Sequence, residues 1–429
     1  MGIYFGTDGI RGNYGSFITP SLAYKCGCSL AGLCTIKKVL IARDTRISGD
    51  VLSLSVANGL MSCGIDVIDI GIAPTPVASF LTEKLGCDFG VVVSASHNPP
   101  IDNGIKIFDR FGYKITEEEE NKIENFFSFS HHCEFENLGR FSFRPDLVSI
   151  YKKEVVGKIV NKNSLRVVFD CANGATFKLA KQIFPKVCKE TVFIADKNDG
   201  LKINDKCGAL HPENLIQHVK SNNADLGFAF DGDGDRIVMC DRYGRIYDGD
   251  DILCILSSSF ECSEIVGTTM TNKGFEDYLS SKNITLVRSD VGDKYVAEIM
   301  RNKNICLGGE PSGHIIIKSF SKTGDGIWTA FSILKVLSSS SLPIQSLVPY
   351  KKYPQVNCNV EIQDKFRILN SETLKQKIAY YQKLLKNKGR ILVRASGTEN
   401  KIRIMCECAK ENLATKITDR IKEIILQIK

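Results

Sequence analysis

The stretch Val91-Val92-Val93-Ser94-Ala95-Ser96-His97-Asn98-Pro99-Pro100 runs from three β-branched residues into a polar turn closed by two prolines. The β-branched run favours a central strand, and proline cannot join a ladder, so the chain leaves the sheet at this point. Ser96 and His97 therefore stand at the end of a buried strand. A serine so placed can attack an acyl carbon or carry a phosphoryl group. The same residue types also suit an ordinary turn.

The pattern recurs twice. Leu226-Gly-Phe-Ala-Phe230 empties into Asp231-Gly-Asp-Gly-Asp235-Arg236, and Ile305-Cys-Leu307 leads to Glu310-Pro-Ser312-Gly-His314. Further strands are expected at Val39-Leu-Ile-Ala42, Val67-Ile-Asp-Ile70 and Leu165-Arg-Val-Val-Phe169, with helix-like stretches between them. Strands alternating with helices predict α/β domains with mostly parallel sheets, whose ligands bind beyond the strand C-termini, so three such loops can meet in one cleft.

Shifts in composition place boundaries in the polar stretch Ser128 to Pro145, near Tyr243 to Gly249, and through Ser338-Ser-Ser-Ser341 to Tyr353-Pro354. The expected domains are 1–145, 146–247, 248–352 and 353–429. Before the first boundary, Thr116 can cap a helix with four glutamates in its first turn and an apolar stripe of Ile123, Phe126 and Phe127. The last domain reads as strands around Gln355 to Ile362 and Arg390 to Arg394, then a helix with a core stripe of Leu413, Ile417, Ile421, Ile424 and Ile428.

With 429 residues the chain exceeds one ordinary core, and two to four domains are expected. Hydrophobic residues at 43% and charged residues at 24% are those of a globular protein, and no apolar run is long enough to span a bilayer. The N-terminus lacks the basic and apolar regions of a signal peptide, so the cytoplasm is expected. Sixteen scattered cysteines suit buried thiols in a reducing compartment, and no disulfides are expected. Cys26-Gly-Cys28, Cys406-Glu-Cys408 and His131-His132-Cys133 each lack the partner cluster a zinc site needs. A formal charge of +7, spread along the chain, falls short of a nucleic-acid footprint and suits a small anionic substrate.

The Asp231, Asp233 and Asp235 carboxylates alternate with glycines that let the backbone fold sharply, so they can converge on one hard cation such as Mg²⁺. An EF-hand fails here, because Arg236 and Arg242 occupy the positions that need Gly and Glu. Arg394-Ala-Ser396-Gly397-Thr398-Glu399, with Arg403 beyond, joins hydroxyls, a permissive glycine and two guanidinium groups, which suits a phosphate. Glu310 and Ser312 can meet sugar hydroxyls with His314 near enough to move a proton, or the loop is a strand-ending turn with a structural histidine. Arg11, in Gly6-Thr-Asp-Gly-Ile-Arg11-Gly12, and Lys106, in Asp102-Asn-Gly-Ile-Lys106, are candidate cations. A serine hydrolase is disfavoured: no Gly-x-Ser-x-Gly elbow surrounds Ser96, His97 as an extended neighbour should point to the opposite face, and acyl transfer has no use for the aspartates. Phosphoryl transfer uses all of these groups.

In this order the motifs resemble the α-D-phosphohexomutase superfamily, and within it the bacterial phosphoglucosamine mutases. Asp44-Thr-Arg-Ile-Ser-Gly49, Cys207-Gly208, Val291-Gly-Asp293 and Thr323-Gly-Asp-Gly326 carry the resemblance nearly end to end, together with the stretches quoted above. It implies three related α/β domains with mixed, mostly parallel sheets and a smaller C-terminal α+β domain around a central cleft. By the resemblance Ser96 carries the phosphoryl group. Asp231, Asp233 and Asp235, with a phosphoserine oxygen of Ser96, hold Mg²⁺. Arg11 and Lys106 neutralise the transferring group, with His97 beside it. Glu310 and Ser312 grip sugar hydroxyls, Arg236 adjoins the substrate, and Arg394, Ser396, Gly397, Thr398 and Arg403 hold the other phosphate. His314 is a candidate proton carrier.

The implied reaction interconverts glucosamine 6-phosphate and glucosamine 1-phosphate through a sugar 1,6-bisphosphate, feeding cell-wall precursor synthesis. Neutral hexose phosphates are the alternative substrates, and a non-catalytic sugar-phosphate binder is the reading from another class. The implied partner is a small phosphosugar, without nucleic acid or membrane, in a monomer or homodimer. Three residues depart from the pattern: Pro311 stands where Gln is usual in these mutases, Asn400 for Pro and Lys294 for Arg.

Overall fold

The structure, a computed structural model, describes residues 4–6, 8–33, 35–127, 135–340, 342–396 and 400–428. The chain divides into two compact units, Met1–Met270 with Val287–Val348, and Thr271–Leu286 with Pro349–Lys429. His131, His132 and Cys133 lie outside the described residues, as do Gly397 and Thr398.

A short loop can join only antiparallel neighbours, and this constraint shapes three sheets of the first unit in the same way. Strand Phe89–Val93 lies parallel to Lys38–Arg43, itself parallel to Asp66–Ile72, and after the serine turn the chain returns antiparallel as Asp102–Asp109. Leu226–Phe230 lies parallel to Arg166–Asp170 and returns after the aspartate turn as the antiparallel Ile237–Asp241. Leu307–Gly309 lies parallel to Glu264–Thr268 and returns after the Glu310 turn as Ile315–Ile317. Each polar loop is thus the bend between a parallel and an antiparallel partner, and the sheets are mixed. Phe89–Val93 and Leu226–Phe230 are buried along their whole length, which is why both read as unbroken apolar runs.

Helices cover the sheets. Glu117–Phe126 starts at a reciprocal cap in which Thr116 Oγ1 accepts from Glu119 N and the Glu119 carboxylate accepts from Thr116 N. Among the described residues no helix is long and apolar enough to cross a membrane.

The second unit holds a three-stranded antiparallel sheet in the order Gln355–Glu361, Lys401–Cys408, Gly389–Ala395. Helix Glu411–Gln427 backs it with Ala414, Ile417, Ile421 and Ile425 buried. The expected stripe is rotated slightly, because Ile425 rather than Ile424 enters the core while Leu413, Ile424 and Ile428 pack along its margin.

The absence of disulfides is corrected. Cys262 and Cys306 are bonded. They precede the parallel neighbours Glu264–Thr268 and Leu307–Gly309, and the pairing of Val266 with Gly308 brings the two strand entrances together.

Candidate active site

Ser96 has φ +52°, a left-handed conformation that costs a residue with a Cβ about 1–3 kcal/mol. This turn corrects the expectation that His97 points away. Extended neighbours diverge, but at a left-handed residue the next side chain swings back, and Ser96 Oγ lies 3.2 Å from His97 Nδ1. Ser96 Oγ also donates to Asp231 Oδ2 at 2.5 Å. Burial, then Arg236 and Arg11, push the His97 imidazole down to about 4, so the ring is neutral near pH 7. Ser96 Oγ thus has two polar neighbours, the Asp231 carboxylate and the His97 ring.

Asp231, Asp233 and Asp235 are all buried, with ligand atoms within 4.8 Å of one another. Gly234, at φ +72°, supplies the turn that brings the alternate carboxylates together. Burial, then Asp235 and Asp233, raise the Asp231 carboxyl well above its ordinary value. Lys106 Nζ donates to Oδ2 of Asp233 and of Asp235, at 2.7 Å each. Burial opposes the charge on Lys106, but Asp233, Asp235 and Asp8 outweigh it and raise its pKa. Thr75 Oγ1 donates to Asp233 Oδ2 as well. Oδ1 of Asp233 and Oδ1 of Asp235 are buried and accept no hydrogen bond. Buried carboxylate oxygens left over in this way fit a hard divalent cation.

An ion-pair chain continues from here through residues to which sequence reasoning gave no role. Asp8 pairs with Arg11 and with Lys114, and Lys114 pairs with Asp293. Asp293 Oδ2 lies 3.0 Å from His314 Nε2, and Asp235 Oδ2 lies 3.8 Å from the same nitrogen. The His314 contacts are those of an ion pair without linear hydrogen bonds. Burial works against a charged His314, but Asp293 and Asp235 together outweigh it and raise the imidazole pKa. Asp8 and Asp293 lie inside quoted motifs, so their positions carried a signal. Lys114 stands in no motif; it follows the return strand and bridges back to Phe108.

Two loops of the first unit meet where Arg236 and His314 form an antiparallel bridge. Burial resists the Arg236 charge, and Asp235, Asp231 and Glu310 raise its pKa despite that. Glu310 is buried and accepts from Gly292 N at 3.0 Å, while burial raises its carboxyl. Ser312 stands exposed at the loop tip. Ser96, His97, the three aspartates, Arg236, Glu310 and His314 on the loops, with Arg11 and Lys106 on strands Gly9–Asn13 and Asp102–Asp109, therefore belong to one connected set.

In the second unit Arg394 and Arg403 are directly opposite in the antiparallel register. Like charges so placed repel, which an anion between them relieves. Arg403 Nη2 donates to the buried Ser396 Oγ at 3.4 Å, and Lys365 Nζ, a cation without a sequence signal, donates to Ser396 O at 2.7 Å.

Acyl transfer has no use for unsatisfied carboxylates beside its serine, whereas phosphoryl transfer needs a cation there. Fold and site together define a phosphoryl-transfer enzyme of the α/β class. Residues 2–130, 148–244 and 248–353 match the phosphoglucomutase/phosphomannomutase alpha/beta/alpha domains I, II and III, and residues 356–424 match the C-terminal domain of that group. Phosphoglucosamine mutases from Nautilia profundicola and Helicobacter pylori are 40% and 41% identical to this chain, each over 98% of both sequences. A phosphoglucomutase/phosphomannomutase family protein from Burkholderia thailandensis superposes with a TM-score of 0.84 at 25% identity, covering 98% of both chains. This chain belongs to the phosphoglucomutase/phosphomannomutase family, the phosphohexomutases, and is an isomerase that works by phosphoryl transfer.

Proposed function

We propose that the chain interconverts glucosamine 6-phosphate and glucosamine 1-phosphate. The observation that carries this reading is the identity of about 40% with phosphoglucosamine mutases across nearly the whole of both sequences.

Ser96 carries the phosphoryl group between turnovers. A free sugar hydroxyl attacks phosphorus, the P–Oγ bond breaks, and the hydroxyl proton passes to a proton carrier, for which His314 in its neutral form is the candidate. The resulting hexose 1,6-bisphosphate returns its other phosphoryl group to Ser96, and added bisphosphate primes an enzyme that has lost it. Asp231, Asp233 and Asp235, with a phosphoserine oxygen, hold Mg²⁺, which supplies charge neutralisation to the transferring group. Arg11 and Lys106 add positive charge from the protein. Glu310 and Ser312 take sugar hydroxyls beside Arg236. Arg394, Ser396, Gly397, Thr398 and Arg403 take the phosphate that is not reacting.

Pro311 favours a second reading, because it changes the loop that meets the sugar. Glucose and mannose phosphates are the competing substrates. Turnover of glucosamine, glucose and mannose 6-phosphates, with Mg²⁺ and bisphosphate present, decides between them. The highest kcat/KM is expected for glucosamine 6-phosphate, and a preference for mannose phosphate would replace the first reading with the second.

A further inference from the structure

Arg46 belongs to the Asp44-Thr-Arg46 stretch, and its side chain is wholly buried. A guanidinium has five N–H donors, and here all five are used. Nε donates to Asp44 Oδ2 at 2.9 Å, Nη1 to Asp102 O at 2.8 Å and to Pro99 O, and Nη2 to Ser96 O at 3.0 Å and Asn98 O at 2.8 Å. Four carbonyls of the serine loop thus converge on one cation, where without it they would repel one another.

The other side of Ser96 is tied to the same pair. Asp44 Oδ2 accepts from Ser94 Oγ at 2.6 Å, and Ser94 Oγ accepts from Ser96 N at 2.9 Å. Both the N–H and the C=O of the residue at φ +52° are therefore anchored to Asp44 and Arg46. Asn204 adds a second grip, donating from Nδ2 to Ser96 O at 2.8 Å and to Asn98 O at 3.2 Å.

We infer that Arg46 is a positioning residue for phosphoryl transfer: with Asp44 and Asn204 it holds the serine loop in its left-handed turn and so fixes the direction of Ser96 Oγ. The inference rests on the reading of Ser96 as the phosphoryl carrier. In-line displacement tolerates little error in that direction. Relaxation of the strained residue to an extended conformation would swing Oγ away from Asp231. Lysine cannot replace arginine here, because three donors at one point do not span four carbonyls and a carboxylate.

The test compares Arg46→Lys, Asn204→Ala and Ser96→Ala with the unchanged enzyme. It measures thermal melting, kcat and KM for glucosamine 6-phosphate, and the rate at which a hexose 1,6-bisphosphate phosphorylates Ser96, followed by intact mass. Arg46→Lys is expected to lower kcat and the phosphorylation rate together by about 10- to 100-fold while KM stays within about twofold, since no substrate contact is lost. Asn204→Ala, which removes the weaker grip, is expected to lower both rates by about threefold to tenfold. A folded Arg46→Lys with unchanged rates, or with its loss wholly in KM, overturns the inference. Should Arg46→Lys fail to fold, Asn204→Ala decides, and unchanged rates there overturn it equally. Undiminished turnover by Ser96→Ala would instead defeat the underlying reading of Ser96, whatever the other variants show.

Discussion

Lys106 Nζ lies 2.7 Å from Asp233 Oδ2, with both side chains sealed from water. The ammonium balances two of the three carboxylates that can also face a divalent cation, so protein charge and metal charge stabilise the same carboxylates through different oxygens. Lys106→Met leaves Asp233 and Asp235 without that partner, and breaking a buried pair on one side costs about 3–5 kcal/mol. The metal-free variant is expected to melt well below the unchanged protein. Added Mg²⁺ should raise its melting temperature by more than it raises that of the unchanged protein. Equal Mg²⁺ shifts in the two proteins would show that the lysine and the cation do not share the aspartates.

Gly324 provides a second test, through the histidine ring. A Cβ at this position would lie 2.6 Å from both Cε1 and Nδ1 of His314 and 2.4 Å from Asp235 O, so Gly324→Ala must displace the ring or the acidic loop. Misplacement of this size near the reacting atoms is worth about 100-fold in rate. Steady-state kinetics are expected to show a kcat loss of that order, with KM for the sugar phosphate nearly unchanged. A variant with full kcat would remove His314 from the chemistry.

Much of this site was legible before any coordinates. The three loops stand where an apolar run stops, and a hairpin bend must present its polar residues at the sheet edge whatever the rest of the fold does. Ser96, the aspartates and Glu310 were visible for that reason. The orientation of His97 was not, because adjacent side chains diverge only on an extended backbone and Ser96 is left-handed. Lys114 and Asn204 were invisible for a different reason. Their partners are 179 and 108 residues away, so only tertiary packing selects them. The bond between Cys262 and Cys306 depends likewise on which strands become neighbours, which cysteine spacing does not encode.

Asp325 links stability to pH. It caps helix Gly326–Ser339 and accepts from Tyr151 OH at 2.9 and 2.8 Å, yet burial pushes its carboxyl up from 3.8 to about 6. The folded chain therefore binds this proton more tightly than the unfolded chain. The resulting stability is fully present below the unfolded value and is lost as pH rises through about 6. Between pH 4.5 and 7 this one group is expected to remove about 2 kcal/mol of stability. Asp325→Asn should flatten that part of the profile, measured by urea unfolding at the two pH values. Parallel profiles for the two proteins would contradict the assignment.

The bond between Cys262 and Cys306 closes a loop with a sequence separation of 44. In the chain-entropy account, a loop of this length restricts the unfolded state by up to about 4 kcal/mol. Oxidised protein is therefore expected to melt several degrees above the same protein treated with dithiothreitol, and Cys262→Ser should melt at the lower temperature whether or not reductant is present. Peptide mapping after alkylation under denaturing, non-reducing conditions should leave these two thiols unmodified. Alkylation of both, with no effect of dithiothreitol on melting, would show that the pair stays reduced in solution.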